Sequence, residues 1–117
     1  QDLDRGIVHG WMHGMPHAVK DLANVRGLPT SYGSPLFAGT IATDDDFSIA
    51  RIRTAGPIFI GKTNAPEFGF GSQSYNPVFG ATGCAYDAAL TAGGSSGGAA
   101  CGLATQMLPV ADGSDMM

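Results

Sequence analysis

Two adjacent serines flanked on each side by two glycines, at residues 93–98, constrain the fold more than any other stretch of this chain. Glycine permits positive φ and close approach of other groups, so the segment can present hydroxyls in a tight turn. Residues 99–107 follow directly, are mostly small and apolar, and predict a buried helix. We therefore expect a loop-to-helix junction inside a fold. A flexible Gly/Ser linker is the alternative that the six residues alone leave open.

The composition predicts one globular domain, since 117 residues with 44% hydrophobic and 14% charged residues suit a single core. A net charge of −4 provides no basic surface, so we expect no nucleic-acid binding. No apolar run reaches the roughly 18–20 residues of a membrane span. Cys84 and Cys101 are too few for a disulfide framework. We expect them to be small buried side chains in a cytoplasmic protein.

The order of predicted elements indicates an α/β fold with parallel strand pairing. The acidic run at 44–46 precedes apolar residues at helical spacing and then two arginines, which is typical of a helix start rather than of a metal site. The predicted elements are a strand at 16–21, a helix from Phe47 that ends before Gly56, a strand at 58–60, a long loop at 69–83, a helix at 99–107 and a strand at 108–111. The strand at 58–60, Ile58-Phe59-Ile60, is a continuous apolar run, as in a buried parallel sheet.

Two motifs suggest activities that their surroundings do not favour. Residues 56–63 fit the phosphate-loop pattern G-x-x-x-x-G-K-T, but the variable positions are Pro-Ile-Phe-Ile and predict a strand rather than a loop. Residues 93–97 contain G-x-S-x-G, the nucleophile elbow of α/β-hydrolases. The strand signal before this elbow is weak, and all three histidines lie upstream. The elbow remains an alternative, because its downstream partners could lie outside the chain.

The three histidines do not predict a metal site. His9, His13 and His17 recur every four residues, a spacing that would align them on one face of a helix. Gly10, Gly14 and a following proline make such a helix implausible.

Lys20 offers a different way to activate a serine. A lysine that is buried and neutral has a free lone pair, because desolvation lowers its pKa. Lys20 follows two apolar residues at the end of a predicted strand, where such burial is plausible. A solvent-exposed charge at the strand end is the simpler reading of this lysine alone.

Taken together, these segments resemble the amidase signature family in both order and spacing, over nearly the whole chain. The matching blocks are His13-Gly14-Met15-Pro16-His17-Ala18-Val19-Lys20-Asp21, Ala55-Gly56, Gly61-Lys62-Thr63-Asn64-Ala65-Pro66-Glu67, Asn76-Pro77-Val78-Phe79-Gly80-Ala81-Thr82, Gly93-Gly94-Ser95-Ser96-Gly97-Gly98 and Ala111-Asp112-Gly113-Ser114-Asp115.

The resemblance implies roles for three side chains. Lys20 matches the catalytic lysine. Ser95 matches the bridging serine, which in the family usually follows a cis peptide bond, here Gly94–Ser95. Ser96 is expected to support this network through hydrogen bonds. Lys62, despite its phosphate-loop pattern, matches no catalytic role.

The resemblance also implies where the substrate carbonyl lies. Met116 and Met117 fall where the family offers backbone N–H groups to the oxyanion, and Gly69 falls where the long loop approaches the carbonyl region. Met117 departs from the glycine common at its position. The family's nucleophilic serine would be the second residue past Met117. Ser114 does not match it, because Ser114 is the serine of the Gly-Ser-Asp turn.

The family fold is one large α/β domain with a mixed central β-sheet flanked by helices, of which residues 1–117 would be a partial catalytic domain, truncated at both ends. The implied activity is amide hydrolysis through a serine acyl-enzyme, with no metal or organic cofactor and a small-molecule amide as substrate. The fragment alone is expected to be inactive, and the complete protein to be a candidate homodimer. The alternatives are a glutamine-hydrolysing subunit of a tRNA-dependent amidotransferase and a catalytically dead binding scaffold. Cys84-Ala85-Tyr86-Asp87 and Leu90 depart from the family pattern and leave the substrate undetermined.

Overall fold

Two parallel strands, β1 (Pro16–Lys20) and β2 (Ile58–Thr63), form the sheet that positions the site in this computed structural model, which describes residues 1–115. Parallel strands need a long crossover connection, and helix α1 (Phe47–Thr54) lies within it. The register pairs Val19 with Lys62, and it shifts once, between His17 and Ala18. The α/β class predicted from the sequence is confirmed.

A small apolar core lies between β1 and α1. Its centre consists of Val19, Val25 and Ile49, each at most 1% exposed. Four partly buried side chains pack against this centre: Ala23, Leu28, Ile52 and Phe59. Since removal of apolar area from water is worth about 25 cal/mol per Å², this cluster fixes the position of β1 and hence of the lysine at its end.

Helix α1 begins where the acidic run predicts, with Asp46 as its N-cap residue. The Asp46 side chain does not cap the helix, however, but accepts a hydrogen bond from the backbone N–H of Asn24 at 2.9 Å. The neighbouring Asp45 forms a two-pronged ion pair with Arg53, at 2.6 and 2.7 Å. The acids therefore tie the helix to the preceding loop as well as marking its start.

The long loop after β2 contains little regular structure, as predicted. It holds a 3₁₀ turn at Glu67–Gly69 and a short antiparallel pair, β3 (Tyr75–Asn76) with β4 (Gly80–Ala81). A second 3₁₀ turn lies at Leu3–Arg5. The Asn76 side chain organises the loop, because its oxygen accepts from two backbone N–H groups and its nitrogen donates to the Ala65 carbonyl.

Helix α2 spans Gly97–Ala104, so it starts two residues earlier and ends three residues earlier than predicted. Its first turn uses glycines because the chain is crowded there. A Cβ at residue 97 would come within 2.5 Å of Ser74 Oγ, and one at residue 98 would collide with the backbone of Asn64. The prediction of a buried helix is wrong: within α2 only Gly97 and Ala99 are buried, and Leu103 is exposed.

Two strand predictions also need correction. β2 pairs in parallel as expected, but Ile58 and Ile60 are more than half exposed, since alternate side chains of a strand point to opposite faces and only Phe59 faces the core cluster. The predicted strand at 108–111 does not form within residues 1–115. The backbone N–H of Leu108 instead donates to the Gly102 carbonyl at the end of α2.

Candidate active site

Lys20 is the last residue of β1, and its side chain reaches the Gly/Ser segment while remaining 1% exposed. Its Nζ lies 2.7 Å from Ser95 Oγ, 75 residues along the chain. The same nitrogen donates a hydrogen bond to the Ser114 carbonyl oxygen at 2.8 Å. The structure therefore brings together the lysine and the first serine of the pair.

The proton on this amine is held weakly. Burial lowers the pKa of Lys20 below its ordinary value, because an ammonium loses water as its solvent. The negative charges of Asp112 and Asp115 act in the opposite direction and raise that pKa. Burial is the larger effect, so the Lys20 amine becomes neutral at a lower pH than a lysine in water does.

Ser95 lies in a backbone segment that a buried serine holds in place. The Gly94–Ser95 peptide bond is cis, as the resemblance implies. Ser74, 1% exposed, donates from Oγ to the Ser95 carbonyl at 3.2 Å and accepts from the Gly97 N–H at 2.8 Å. Its backbone N–H also donates to the Gly93 carbonyl. Ser74 thus fixes the backbone on both sides of Ser95.

Ser96 contacts Ser114, 18 residues further along the chain. Its Oγ accepts from the Ser114 N–H at 3.3 Å and lies 3.4 Å from the Ser114 carbonyl oxygen, which Lys20 also contacts. Residues 94–96 and 113–115 together line an open hollow of about 330 Å³. Both serines of the pair therefore border one space large enough for a small substrate group.

Gly69 lines a cavity that Ser95 also borders. It adopts φ +77°, a backbone conformation that favours glycine, and a Cβ there would require the end of the Leu22 side chain to shift. A cavity of about 110 Å³ joins residues 69–72 to Gly94, Ser95 and Asp115. The structure therefore places Gly69 next to Ser95. Met116 and Met117, predicted to offer oxyanion N–H groups, lie outside the described residues.

The other sequence motifs do not converge here. Lys62 turns away to the Ala23 carbonyl and the Thr30 hydroxyl, and residues 58–63 form β2 rather than a phosphate loop. The Ser95 hydroxyl contacts the Lys20 amine, and no histidine in residues 1–115 hydrogen-bonds to it.

The three evenly spaced histidines do not form a cluster of metal ligands in the described residues. His9 and His13 stack on each other at 5.1 Å, while His17 is buried elsewhere. Within the described chain, no group of three His, Cys, Asp or Glu side chains could hold a metal ion. Cys84 and Cys101 are free and partly exposed, so the prediction that they are buried is wrong. None of the helices in residues 1–115 is long and apolar enough to cross a membrane.

Sequence reasoning missed two residues of this site. Asp112 accepts hydrogen bonds from the Lys20 backbone N–H with both carboxylate oxygens, at 3.1 and 3.2 Å. It lies within a matched block, and an acid two residues before Ser114 was a usable signal. Ser74 carries no such signal, because its role depends on a contact with residues 95–97 that only the fold creates.

Comparison with known proteins agrees with this geometry. The Amidase family matches residues 2–116. An acylamidase of Rhodococcus erythropolis is 43% identical over 106 residues, which is 91% of this chain and 22% of that protein. One of the subunits of the glutamyl-tRNA(Gln) amidotransferase of Acidothermus cellulolyticus is 42% identical over 91% of this chain and 21% of its own length.

The fold agrees with that of a solved amidase. The crystal structure of a peptide amidase bound to the competitive inhibitor chymostatin superposes with a TM-score of 0.86 and 31% identity, over 96% of this chain and 24% of that one. The chain spans about a quarter or less of the length of each of these relatives. Because the family match covers almost every residue, this chain belongs to the amidase signature family.

Proposed function

We propose that the protein hydrolyses the C–N bond of a carboxylic acid amide through a serine acyl-enzyme. The observation that carries this proposal is the 2.7 Å contact between the buried Lys20 Nζ and Ser95 Oγ. A buried amine next to a serine hydroxyl is the arrangement that activates a serine without histidine. The acylamidase and peptide amidase relatives support the same class of reaction.

The proposed relay moves two protons in one direction and then back. Neutral Lys20 accepts the hydroxyl proton of Ser95, and Ser95 accepts the proton of the nucleophilic serine as that serine's oxygen bonds to the substrate carbonyl carbon. When the C–N bond breaks, the relay reverses and Ser95 delivers a proton to the leaving nitrogen. Water then repeats the cycle on the acyl-enzyme and releases the acid. Ser96 supports the relay through the Ser114 N–H.

The remaining roles concern the carbonyl group of the substrate. We assign the nucleophile to the second residue past Met117, and oxyanion binding to the backbone N–H groups of Met116 and Met117. Gly69 shapes the wall of the cavity beside Ser95, where the carbonyl region of the substrate would lie. The proposed relay uses no metal or organic cofactor, and residues 1–117 alone would lack the nucleophile and therefore be inactive.

A second candidate is glutamine hydrolysis within a tRNA-dependent amidotransferase. The 42% identity to one component of such an enzyme favours it. In that case the released ammonia would pass to a partner protein, whereas an independent amidase would act on a small-molecule amide, in the cytoplasm and as a homodimer. The two candidates share the relay and differ only in substrate and assembly.

The test uses the complete protein with a fluorophosphonate probe, a set of small amides and glutamine. We expect probe labelling and amide hydrolysis in the wild type, and loss of at least about 100-fold in hydrolysis in Ser95→Ala, because proton transfer typically contributes 10²–10⁴-fold. The Thr105→Ala variant loses an exposed hydroxyl at the C-terminal end of α2 and should retain full activity.

Three results separate the possibilities. Hydrolysis of glutamine alone, together with stoichiometric co-purification of a partner, would favour the amidotransferase. Equal activity in Ser95→Ala and Thr105→Ala would remove Ser95 from the relay. A wild-type protein that neither reacts with the probe nor cleaves any amide would be the binding scaffold rather than an enzyme.

A further inference from the structure

Asp112 holds the backbone end of the lysine that the proposed relay depends on. Both of its carboxylate oxygens accept from the Lys20 N–H, and Oδ1 lies 3.4 Å from Nε2 of His17. His17 is 2% exposed, and within residues 1–115 neither of its ring nitrogens has a hydrogen-bond partner. The carboxylate is therefore placed between a buried imidazole and the strand end that carries the amine.

The same short segment also holds the other end of the lysine. Ser114, two residues beyond Asp112, offers its carbonyl to Lys20 Nζ at 2.8 Å. Residues 112–114 thus contact Lys20 at two points. The Asp112 carboxylate accepts from its backbone N–H, and the Ser114 carbonyl accepts from its Nζ. Because the Asp112 carboxylate is negatively charged, it favours the protonated form of the Lys20 amine as well as fixing the position of the residue.

We propose that Asp112 is a positioning residue that sets both the place and the protonation of Lys20 in the relay. This inference rests on the proposed function for its catalytic consequence, although the titration of Lys20 can be measured without activity. Asp112 does not need to touch the substrate to act, because it works through the lysine.

The charged surroundings of Lys20 single out Asp112. Asp115 lies in the same segment and adds a second negative charge. From the end of β1, Asp21 directs its carboxylate to Ser31 and Lys62 rather than to Lys20. From α1, Asp46 lines a cavity of about 440 Å³ that Lys20 and Asp112 also border. Asp112 is the acid whose carboxylate accepts from the Lys20 backbone N–H, which ties it directly to the strand end that carries the amine.

The sign of the effect follows from the charge. An ammonium at Lys20 is favoured by the nearby carboxylate, so removing that charge should lower the pKa of Lys20 further. Asp112→Asn keeps an oxygen that can accept from the Lys20 N–H but loses the charge. The acidic limb of the activity profile, which reports the neutral amine, should then shift to lower pH by about half a unit or more.

Two variants provide the matched controls. Asp44→Asn removes one exposed carboxylate from the acidic run and corrects for a change in net charge. Asp112→Glu keeps the charge and has room in the adjoining cavity. We expect Asp44→Asn to match the wild type, and Asp112→Glu to keep its acidic limb closer to the wild type than Asp112→Asn does. If Asp112→Asn fails to fold, Asp112→Gln removes the charge from a side chain of the same length as Glu, and its acidic limb should lie at lower pH than that of Asp112→Glu.

Two readouts are recorded on the complete protein. The first is kcat/KM for an amide as a function of pH. The second is the 13C resonance of Lys20 Cε, assigned by its loss in Lys20→Arg and titrated in each variant. If the pH midpoint of the Lys20 Cε resonance shifts more in Asp112→Asn than in Asp44→Asn, the proposal is supported even when no amide is cleaved. Identical Lys20 titrations in Asp112→Asn and Asp44→Asn would overturn it, as would an equal shift in Asp112→Glu and Asp112→Asn.

Discussion

Two lysines on neighbouring strands show how differently one sheet can use the same side chain. Lys20 ends β1, and Lys62 lies opposite Val19 in β2. Lys20 is 1% exposed and the Lys62 side chain 9%. Burial lowers the pKa of both amines, since desolvation disfavours the ammonium. Their positions and burial are similar, so the difference between them lies in their partners.

Those partners give the lysines different chemistry. Lys62 Nζ lies 3.3 Å from Asp21 Oδ1 and donates to the Ala23 carbonyl and the Thr30 hydroxyl, all in the loop after β1. A direct carboxylate contact and two acceptors favour an ammonium. Lys20 Nζ instead lies between a hydroxyl and a carbonyl. Both of these acceptors are uncharged, whereas Lys62 has a carboxylate partner, and a carboxylate favours the charged form of an amine.

The largest effect should come from removing the Lys20 amine. In the complete protein, Lys20→Met should lower kcat/KM by about 10²–10⁴-fold, because the relay loses its base. Thermal stability should change little, since a flexible apolar side chain of similar length replaces the amine. The measurement is steady-state amide hydrolysis, with Arg5→Met as the control for loss of an exposed cation. A Lys20→Met enzyme retaining more than about a tenth of the activity would break the distinction between the two lysines.

Removal of the Lys62 amine should reduce stability instead. Lys62→Met leaves the buried Asp21 carboxylate without its cation, and breaking a buried pair in this way typically costs about 3–5 kcal/mol. Urea unfolding of the complete protein measures the loss. The double variant Asp21→Leu, Lys62→Met removes both charges and should recover much of the stability. Equal stability of wild type and Lys62→Met would mean that the pair does not hold the sheet to the loop.

The smallest effect is expected at the more exposed Asp45–Arg53 pair, which serves as a reference for Asp21–Lys62. The Arg53 guanidinium lowers the pKa of Asp45 to about 2. Because the folded-state pKa is depressed, the contribution is present above the ordinary Asp value of 3.8 and is lost as pH falls toward about 2. A double-mutant cycle with Asp45→Asn and Arg53→Gln should give less than about 1 kcal/mol near neutral pH.

The pH series provides the control for that cycle. The coupling energy should fall between about pH 4 and about pH 2, the window set by the shifted pKa of Asp45. A coupling as large as that of Asp21–Lys62 would show that burial does not explain the difference between the pairs.

Local sequence signals predicted where the helices and strands lie better than they predicted which of their side chains are buried. The acidic run gave the start of α1, and the apolar runs gave β1 and β2, because these depend on neighbouring residues in the chain. Exposure of Ile58 and Ile60, and of much of α2, depends on what packs across each element and was predicted wrongly. The missing strand at 108–111 is similar, since a strand requires a partner that its own residues do not specify.

In the candidate site, too, the contacts that depend on the folded chain were not predictable from local sequence. Lys20 and Ser95 were assigned to one network through the resemblance to the amidase signature family, and the structure places them 2.7 Å apart. Their catalytic roles stay predictions. Ser74 was missed, because a lone serine in a loop gains its importance only through contacts with residues 95–97. Asp112 lay in a matched block without a role, and its hydrogen bonds to a backbone N–H 92 residues away are a product of the fold.

The sequence separations of these contacts have a consequence for the order of folding. Lys20 meets Ser95 across 75 residues and Ser114 across 94, so both contacts of the proposed relay join distant parts of the chain. Contacts between distant residues carry a chain-entropy cost that grows with loop length, and they tend to form after local structure. During synthesis β1 leaves the ribosome long before its partners exist. The Lys20–Ser95 contact therefore forms only in a chain that has brought these distant segments together.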